Sequence, residues 1–181
     1  MDFIGKRRSA VSTLNPKPPI KYHDPDNSKG KTKQGWLWVI SRPKSDVVFE
    51  WKLSRRHDEL YSMLDGYQGI LQSDGYEAYA SFERANSEVV TWVGCWAHAR
   101  RKFHESLKNH PKEAATMLRL IGKLYHFEEL YRKQGLSEDQ RLQSRSQNQG
   151  KILKWIKIAA GICQRKCLPK SELGKALNYL L

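Results

Sequence analysis

Two short apolar runs, each followed by a polar string, most constrain the fold of this chain. Residues 69–72 (Gly-Ile-Leu-Gln) lead into residues 73–76 (Ser-Asp-Gly-Tyr), and residues 89–93 (Val-Val-Thr-Trp-Val) lead into residues 94–103. Runs of this length bounded by turn residues are typical of buried strands. Open α/β sheets usually place their chemistry at the carboxyl ends of strands. The pattern therefore predicts an α/β protein with Asp74 at such a strand end.

Strand and helix patterns alternate between residues 35 and 95. The runs at residues 36–40 and 47–51 predict an antiparallel hairpin, and residues 20–23 favour a short edge strand before it. Helix, strand, helix and strand then follow, at residues 57–64, 69–74, 77–84 and 89–93. This order predicts a mixed sheet flanked by helices, and it is the element order of a ribonuclease-H-like fold.

The chain is expected to have three parts. Four prolines among Asn, Ser, Gly and Lys in residues 1–34 predict a disordered or irregular arm over residues 1–18. Residues 19–110 are expected to form the portion that contains the sheet. Apolar residues at helical spacing predict a helical C-terminal region over residues 111–181. Within it, Ser137 and Gln140 predict a capping box.

The charge points to a polyanionic partner. Lys and Arg number 32 against 19 acids, for a net charge of +13 and a pI near 9.7. The excess is concentrated at the ends, with a net of +8 over residues 141–181 and +5 over residues 1–35. A basic domain of this kind is expected to bind nucleic acid. Charge alone does not separate DNA-binding proteins from RNA-binding or ribosome-associated ones.

Cysteine content and hydropathy bear on the cell compartment. The three cysteines show no Cys-x-x-Cys pair, which argues against a disulfide framework and fits a reducing cytoplasm. No apolar stretch approaches the ~20 residues of a membrane span, and no hydrophobic core follows the basic residues near the start. We expect a cytoplasmic protein without a membrane partner.

Four strings in order resemble the transposases of the insertion sequence 66 family. They are Gly-Lys-Thr-Lys-Gln-Gly-Trp-Leu-Trp-Val at residues 30–39, Ser-Asp-Gly-Tyr at 73–76, Gly-Cys-Trp-Ala-His-Ala-Arg-Arg-Lys-Phe at 94–103 and Leu-Pro-Lys-Ser-Glu-Leu-Gly-Lys-Ala at 168–176. From about residue 19 to residue 181, the order and spacing are similar to the central domain of that family. The resemblance implies a mobile-element protein of the DDE type, with a ribonuclease-H-like core that acts on DNA.

The resemblance also implies a metal site. Enzymes of this type cleave and join DNA with two divalent metal ions, typically Mg²⁺, held by three carboxylates. It assigns the second of these acids, as catalytic residue and metal ligand, to Asp74. The alternative is that Asp74 caps the helix that follows it, a common role for an Asp at a strand end.

The other two acids depart from the pattern of the family. Aligned on Pro19, the position of the first acid is occupied by Pro16, while Asp24 and Asp26 lie in a predicted turn. The third acid of the family, a Glu after an Asp-Asn-Asn string, falls beyond residue 181. We therefore expect a transposase truncated at both ends and inactive by itself. The alternative function is a non-catalytic basic module that binds DNA or intact transposase subunits.

Two further groups are candidate site residues. Arg100, Arg101, Lys102 and Lys108 lie on a predicted basic helix, where Arg100 and Lys108 would share a face that can follow DNA phosphates. Cys95 and His98 form a Cys-x-x-His string, which several transposase groups with this core carry. Zinc would need two more ligands, and the spacing matches no standard finger. This favours a structural role for both residues at the joint between strand and helix.

Overall fold

The computed structural model describes residues 11–16, 19–23, 32–41 and 46–181, with the backbone alone for residues 11–16. Within these ranges, six strands form one sheet. They are β1 (Val11–Pro16), β2 (Ile20–Tyr22), β3 (Lys33–Ser41), β4 (Val47–Lys52), β5 (Gly69–Ser73) and β6 (Val90–Gly94). The strand order is β2-β3-β1-β5-β6, and β4 pairs with β3.

The sheet is mixed. β3 pairs antiparallel with β1, β2 and β4, whereas β1, β5 and β6 run parallel to one another. Side chains alternate between the two faces of a strand, and β5 shows this directly, because Leu71 and Ser73 are buried whereas Ile70 is exposed. β5 lies between β1 and β6, so its carboxyl end is at an interior position of the parallel part of the sheet.

Seven helices lie in the described ranges. They are α1 (His57–Met63), α2 (Glu77–Ala85), α3 (Trp96–Ser106), α4 (Pro111–Lys133), α5 (Glu138–Asn148), α6 (Gly150–Gln164) and α7 (Glu172–Leu180). The capping box at α5 is confirmed, because the Ser137 hydroxyl accepts from the backbone N–H of Gln140 and the Gln140 side chain accepts from that of Ser137. Two orphan N–H groups of the first turn are thereby satisfied.

The chain divides into two compact units, which we call the sheet unit (residues 1–95) and the helical unit (residues 96–181). In the sheet unit, α1 and α2 contribute Leu60, Tyr79 and Phe82 to a core that Trp38 and Leu71 complete from the strands. The core of the helical unit is separate. It contains Phe103 from α3, Met117 and Ile121 from α4, Ile156 from α6 and Leu177 from α7.

The predicted α/β class is confirmed, as are the hairpin, the helices and strands between residues 57 and 94 and the short strand at Ile20–Tyr22. Val11–Pro16, within the stretch for which the sequence predicted an irregular arm over residues 1–18, forms β1 in the interior of the sheet. The sequence of this segment shows no apolar alternation. It forms a strand because its backbone pairs with β3 and β5, which are distant in sequence. The boundary between the two units lies after Cys95, whereas the sequence predicted a boundary after residue 110.

Among the described residues, no helix combines the length and the apolar character of a membrane span.

Candidate functional site

Asp74 follows directly on β5, at the carboxyl end that the sequence predicted. The parallel pairing of β1 with β5 puts Leu14 opposite Ser73, so the next residues along the two strands are Asn15 and Asp74. Gly75 has a φ of 82°, a left-handed conformation that glycine adopts without steric cost. The chain turns there and enters α2 two residues later. Asp74 thus lies at the carboxyl end of an interior strand, in the turn that leads into α2.

Among the described residues, the carboxylate of Asp74 has two partners. Its Oδ1 accepts a hydrogen bond of 3.2 Å from the backbone N–H of Tyr76, and its Oδ2 lies 3.5 Å from Nη2 of Arg55. The helix-capping interpretation is therefore only partly met. Tyr76 itself is the N-cap of α2, and no side chain caps that helix, so Asp74 stabilises the turn before the helix.

Arg55 is held in place by Tyr76. Its guanidinium carbon lies 4.1 Å from the centre of the Tyr76 ring, a cation–π arrangement. The Tyr76 hydroxyl donates a 2.8 Å hydrogen bond to the backbone carbonyl of Arg55. Asp74, Arg55 and Tyr76 therefore form a closed triangle of contacts, which we call the Asp74 cluster. Arg55 reaches it from the connection between β4 and α1.

Tyr79 lies on α2 beside this cluster. Its ring meets that of Tyr76 edge to face at 6.0 Å, and its side chain is fully buried. Burial raises the pKa of the Tyr79 hydroxyl well above its usual value, and the negative charge of Asp74 raises it further. The Tyr79 hydroxyl and Nε of Arg55 are buried donors that find no hydrogen-bond acceptor among the described residues. Tyr79 is therefore a neutral group next to the ion pair.

The described residues do not fit a pair of divalent metal ions at Asp74. Such a site needs several carboxylates that converge at a separation of about 4 Å between the ions. The register brings Asn15 next to Asp74, and the adjoining Pro16 is also not an acid. No group of three or more His, Cys, Asp or Glu side chains converges within the described ranges. The ion-pair partner of Asp74 is the cation Arg55. Asp24 and Asp26 lie outside the described residues.

The basic residues of the string at residues 94–103 lie on α3 of the helical unit. Arg100 and Arg101 are exposed, and Arg101 is 3.9 Å from Glu105, one turn along the helix. Lys102 is half-buried, with its ammonium 5.5 Å from the centre of the Tyr179 ring. The helix ends at Ser106, so Lys108 lies in the turn beyond it. The predicted helical stripe from Arg100 to Lys108 is interrupted for that reason.

Cys95 and His98 lie on either side of the division between units. Cys95 is the last residue of the sheet unit and is half-buried, whereas His98 lies in the first turn of α3. Within the described ranges, neither belongs to a cluster with three or more ligand side chains. The structural role of both residues stays a prediction.

The sequence pattern pointed to Asp74 and Tyr76 but missed Arg55 and Tyr79. Tyr79 had a weak signal, since it follows Tyr76 at helical spacing. Arg55 had none. It is one of two successive arginines in a connection, and only the tertiary structure distinguishes it from Arg56, which pairs with the exposed Asp58.

Comparison with known proteins gives a family match over most of the chain. The model of the family described as "Transposase IS66 family" matches residues 19–181. The uncharacterized protein y4jD of Sinorhizobium fredii (strain NBRC 101917 / NGR234) is 28% identical over 169 residues, which cover 87% of this chain and 33% of y4jD. The uncharacterized protein y4qI of the same strain is 35% identical over 100 residues, covering 48% of this chain and 19% of y4qI.

A third similar protein from that strain, the uncharacterized protein y4hP, is 29% identical over 183 residues and is covered to 32% of its length. The chain thus spans a third or less of the length of these relatives. No solved structure matches it significantly.

Proposed function

This chain belongs to the transposase IS66 family, and we propose that it is a partial DDE-type transposase that binds DNA but does not cleave or join DNA by itself. Family membership implies a role related to transposition. The absence of cleavage, the DNA surface and the cytoplasmic, nucleoid-associated location are the finer parts of the proposal.

The sheet supports a ribonuclease-H-like core. A hairpin of β3 and β4 is antiparallel to β1, and β5 and β6 then add in parallel on the other side of β1. This arrangement brings the ends of β1 and β5 side by side, which is where a catalytic pair of acids in such a core would have to meet. The chain therefore has the backbone framework for the reaction.

The observation that carries the proposal of inactivity is the pairing of Asp74. Its carboxylate lies between the backbone N–H of Tyr76 and the guanidinium of Arg55, and the adjoining end of β1 offers Asn15 and Pro16. An oxygen that is already neutralised by a guanidinium is a weak ligand for a strongly hydrated ion such as Mg²⁺. Within the described residues, Asp74 therefore stabilises the turn and has no second acid with which to assemble a reaction centre.

Charge supports the binding part of the proposal. The helical unit contains 18 Lys and Arg against 7 Asp and Glu, and Arg100 and Arg101 are exposed on α3. Cations on a folded surface neutralise phosphates and release counterions, so the affinity for duplex DNA should be high at low salt and fall steeply as salt rises. The binding should show little sequence preference.

The test measures binding and cleavage by the same preparation. We expect the purified chain to shift a labelled duplex in a gel but to leave supercoiled plasmid intact with Mg²⁺ or Mn²⁺. Pro16→Asp alone should not produce nicking, because a third acid is still lacking. Rescue should require both that Asp and a carboxyl-terminal segment that supplies the third acid, and Asp74→Asn should then abolish it.

Two outcomes would contradict the proposal. Metal-dependent nicking by the unmodified chain that disappears in Asp74→Asn would show that Asp24, Asp26 or another acid completes a working site. A chain that neither shifts duplex DNA at low salt nor nicks it would refute the binding function.

A further inference from the structure

The outward face of α6 combines apolar and basic side chains in an unusual way. Trp155, Ile158 and Ile162 are 61%, 52% and 44% exposed. Their spacing of three and four residues aligns them in one stripe along the helix. The opposite side of α6 already has its packing partners, because Ile156 and Ala160 are buried in the core of the helical unit. The exposed stripe is therefore additional to the face that stabilises the fold.

Lysines lie within and beside the apolar stripe. Lys151 and Lys154 are one helical turn before Trp155 and Ile158, and Lys157 is one turn after Lys154. Lys151, Lys154 and Lys157 are exposed and make no ion pair with any described residue. No acidic residue occurs from residue 150 to residue 171, a segment with six Lys and Arg. Elsewhere in the same unit, cations do have acidic partners: Lys133 pairs with Glu129, Arg145 with Glu128 and Lys175 with Glu172.

The charges decide between the possible occupants of this face. A second copy would bring two sets of lysines together, and like charges repel. Helices that lie on anionic membranes insert a broad apolar face, but the broad apolar face of α6 is packed inside the protein. The phosphates of a DNA duplex would pair with the lysines, but they would give Trp155 and Ile158 no apolar contact. A single strand offers both phosphates and unstacked bases.

We propose that the outward face of α6 is a binding site for single-stranded DNA, in which Trp155 stacks on a base and Lys151, Lys154 and Lys157 contact phosphates. The proposal deepens the proposed function, on which it rests in taking DNA as the partner. The three lysines extend over about 9 Å of helix, from the rise of 1.5 Å per residue. That length suits a contact with a few nucleotides, whose bases have π-faces irrespective of sequence.

The experiment uses the full chain, a fluorescein-labelled oligothymidine and a duplex of the same length, with anisotropy measured over a salt series. Trp155→Ala should weaken single-strand binding about tenfold, the usual size of one base–aromatic stack, and Trp155→Phe should retain most of it. Duplex binding should change little. The matched control Leu153→Ala removes another exposed apolar side chain of α6 and should leave both affinities unchanged.

A second variant tests the lysines. The triple variant Lys151→Ala, Lys154→Ala, Lys157→Ala should reduce the slope of log affinity against log salt for the single strand by about 2, or about 0.7 for each phosphate that is no longer neutralised. The control removes three other exposed cations of the helical unit, Lys112, Arg119 and Lys123 on α4. It lowers the net charge equally and should reduce the slope less. Far-UV circular dichroism checks that each variant is folded.

The outcomes separate this inference from the proposed function. If single-strand affinity is unchanged in Trp155→Ala while duplex binding persists, the α6 site is refuted and the proposed function stands. Equal losses for single strand and duplex would show a duplex surface and overturn the single-strand assignment. Binding to vesicles of phosphatidylglycerol that requires Trp155, without binding to the oligothymidine, would show a membrane surface. Failure to bind either DNA would refute the proposed function as well.

Discussion

The sheet unit contains 14 Lys and Arg against 12 Asp and Glu, whereas the helical unit contains 18 against 7. In the sheet unit, the acid that the family resemblance singles out has a cation as its partner, Arg55. In the helical unit, the lysines of α6 have no described acidic partner. The comparison teaches that most of the formal charge of +13 lies in the helical unit. If the chain binds DNA as proposed, we therefore expect the binding to depend on the helical unit and not on the sheet unit.

Two phenylalanines, one in each unit, differ in their burial. Phe103 is fully buried in the core of the helical unit, whereas Phe49 on β4 of the sheet unit is 63% exposed. Phe103→Ala should lower the free energy of unfolding by about 3–5 kcal/mol, because it leaves a cavity among packed side chains. Phe49→Ala is the matched control and should change it by about 0.5 kcal/mol or less. Urea denaturation followed by circular dichroism measures both, and equal effects would contradict the described burial.

The division of charge predicts which cations matter for duplex binding. The variant Arg100→Ala, Arg101→Ala, Lys102→Ala in the helical unit should reduce the salt slope of duplex affinity by up to about 3, at about 0.9 for each phosphate contact. The control replaces Lys21, Arg56 and Arg84 of the sheet unit and removes the same number of charges. Anisotropy titrations at several salt concentrations compare the two. An equal or larger effect of the control would mean that the sheet unit binds the DNA.

The Asp74 cluster predicts a difference between two adjacent arginines. Arg55→Ala removes the ion pair with Asp74 and the contact with the Tyr76 ring. It should cost about 1–2 kcal/mol of unfolding free energy, the combined size of a partly exposed pair and a cation–π contact. Arg56→Ala should cost less, since Arg56 and its partner Asp58 are both largely exposed. Similar losses in the two variants would show that Arg55 has no special role.

Glu128 of the helical unit accepts several hydrogen bonds, and this predicts a pH dependence of stability. Glu128 receives two hydrogen bonds of 2.7 Å from Arg145 and one of 2.9 Å from Gln149. The hydrogen bond from Arg145 is the main cause that holds the pKa of Glu128 below its usual value of 4.5. Because the folded-state pKa is depressed, this stabilisation is present above pH 4.5 and is lost as the pH falls through the lower folded-state pKa.

Glu128→Gln should accordingly cost about 1 kcal/mol at neutral pH, the size of a partly exposed charged hydrogen bond. The difference from the unmodified chain should shrink as the pH falls. Denaturation at pH 7 and at acid pH measures it. The control Glu129→Gln affects a more exposed pair with Lys133 and should show a smaller pH dependence. A difference between the unmodified chain and Glu128→Gln that stays constant with pH would refute this role of Glu128.

Local patterns were enough for much of this protein. Alternation on the hairpin strands, the apolar runs before Asp74 and Gly94, and the Ser137 capping box depend on neighbours in sequence, so the sequence by itself determined them. It also carried the strings that identify the family. Asp74 at a strand end follows from the same local reasoning, because an apolar run and a Gly turn are adjacent to it.

Only the structure decided three features, two of which depend on partners distant in sequence. Val11–Pro16 is a strand because β3 and β5 bind its backbone, although its own residues show no strand pattern. The stripe from Arg100 to Lys108 is broken by the end of α3 at Ser106. The ion pair of Asp74 joins residues 19 positions apart, Arg55 and Asp74. Backbone pairing and ion pairs are made across space, and a pattern read along the chain does not contain the distances that determine them.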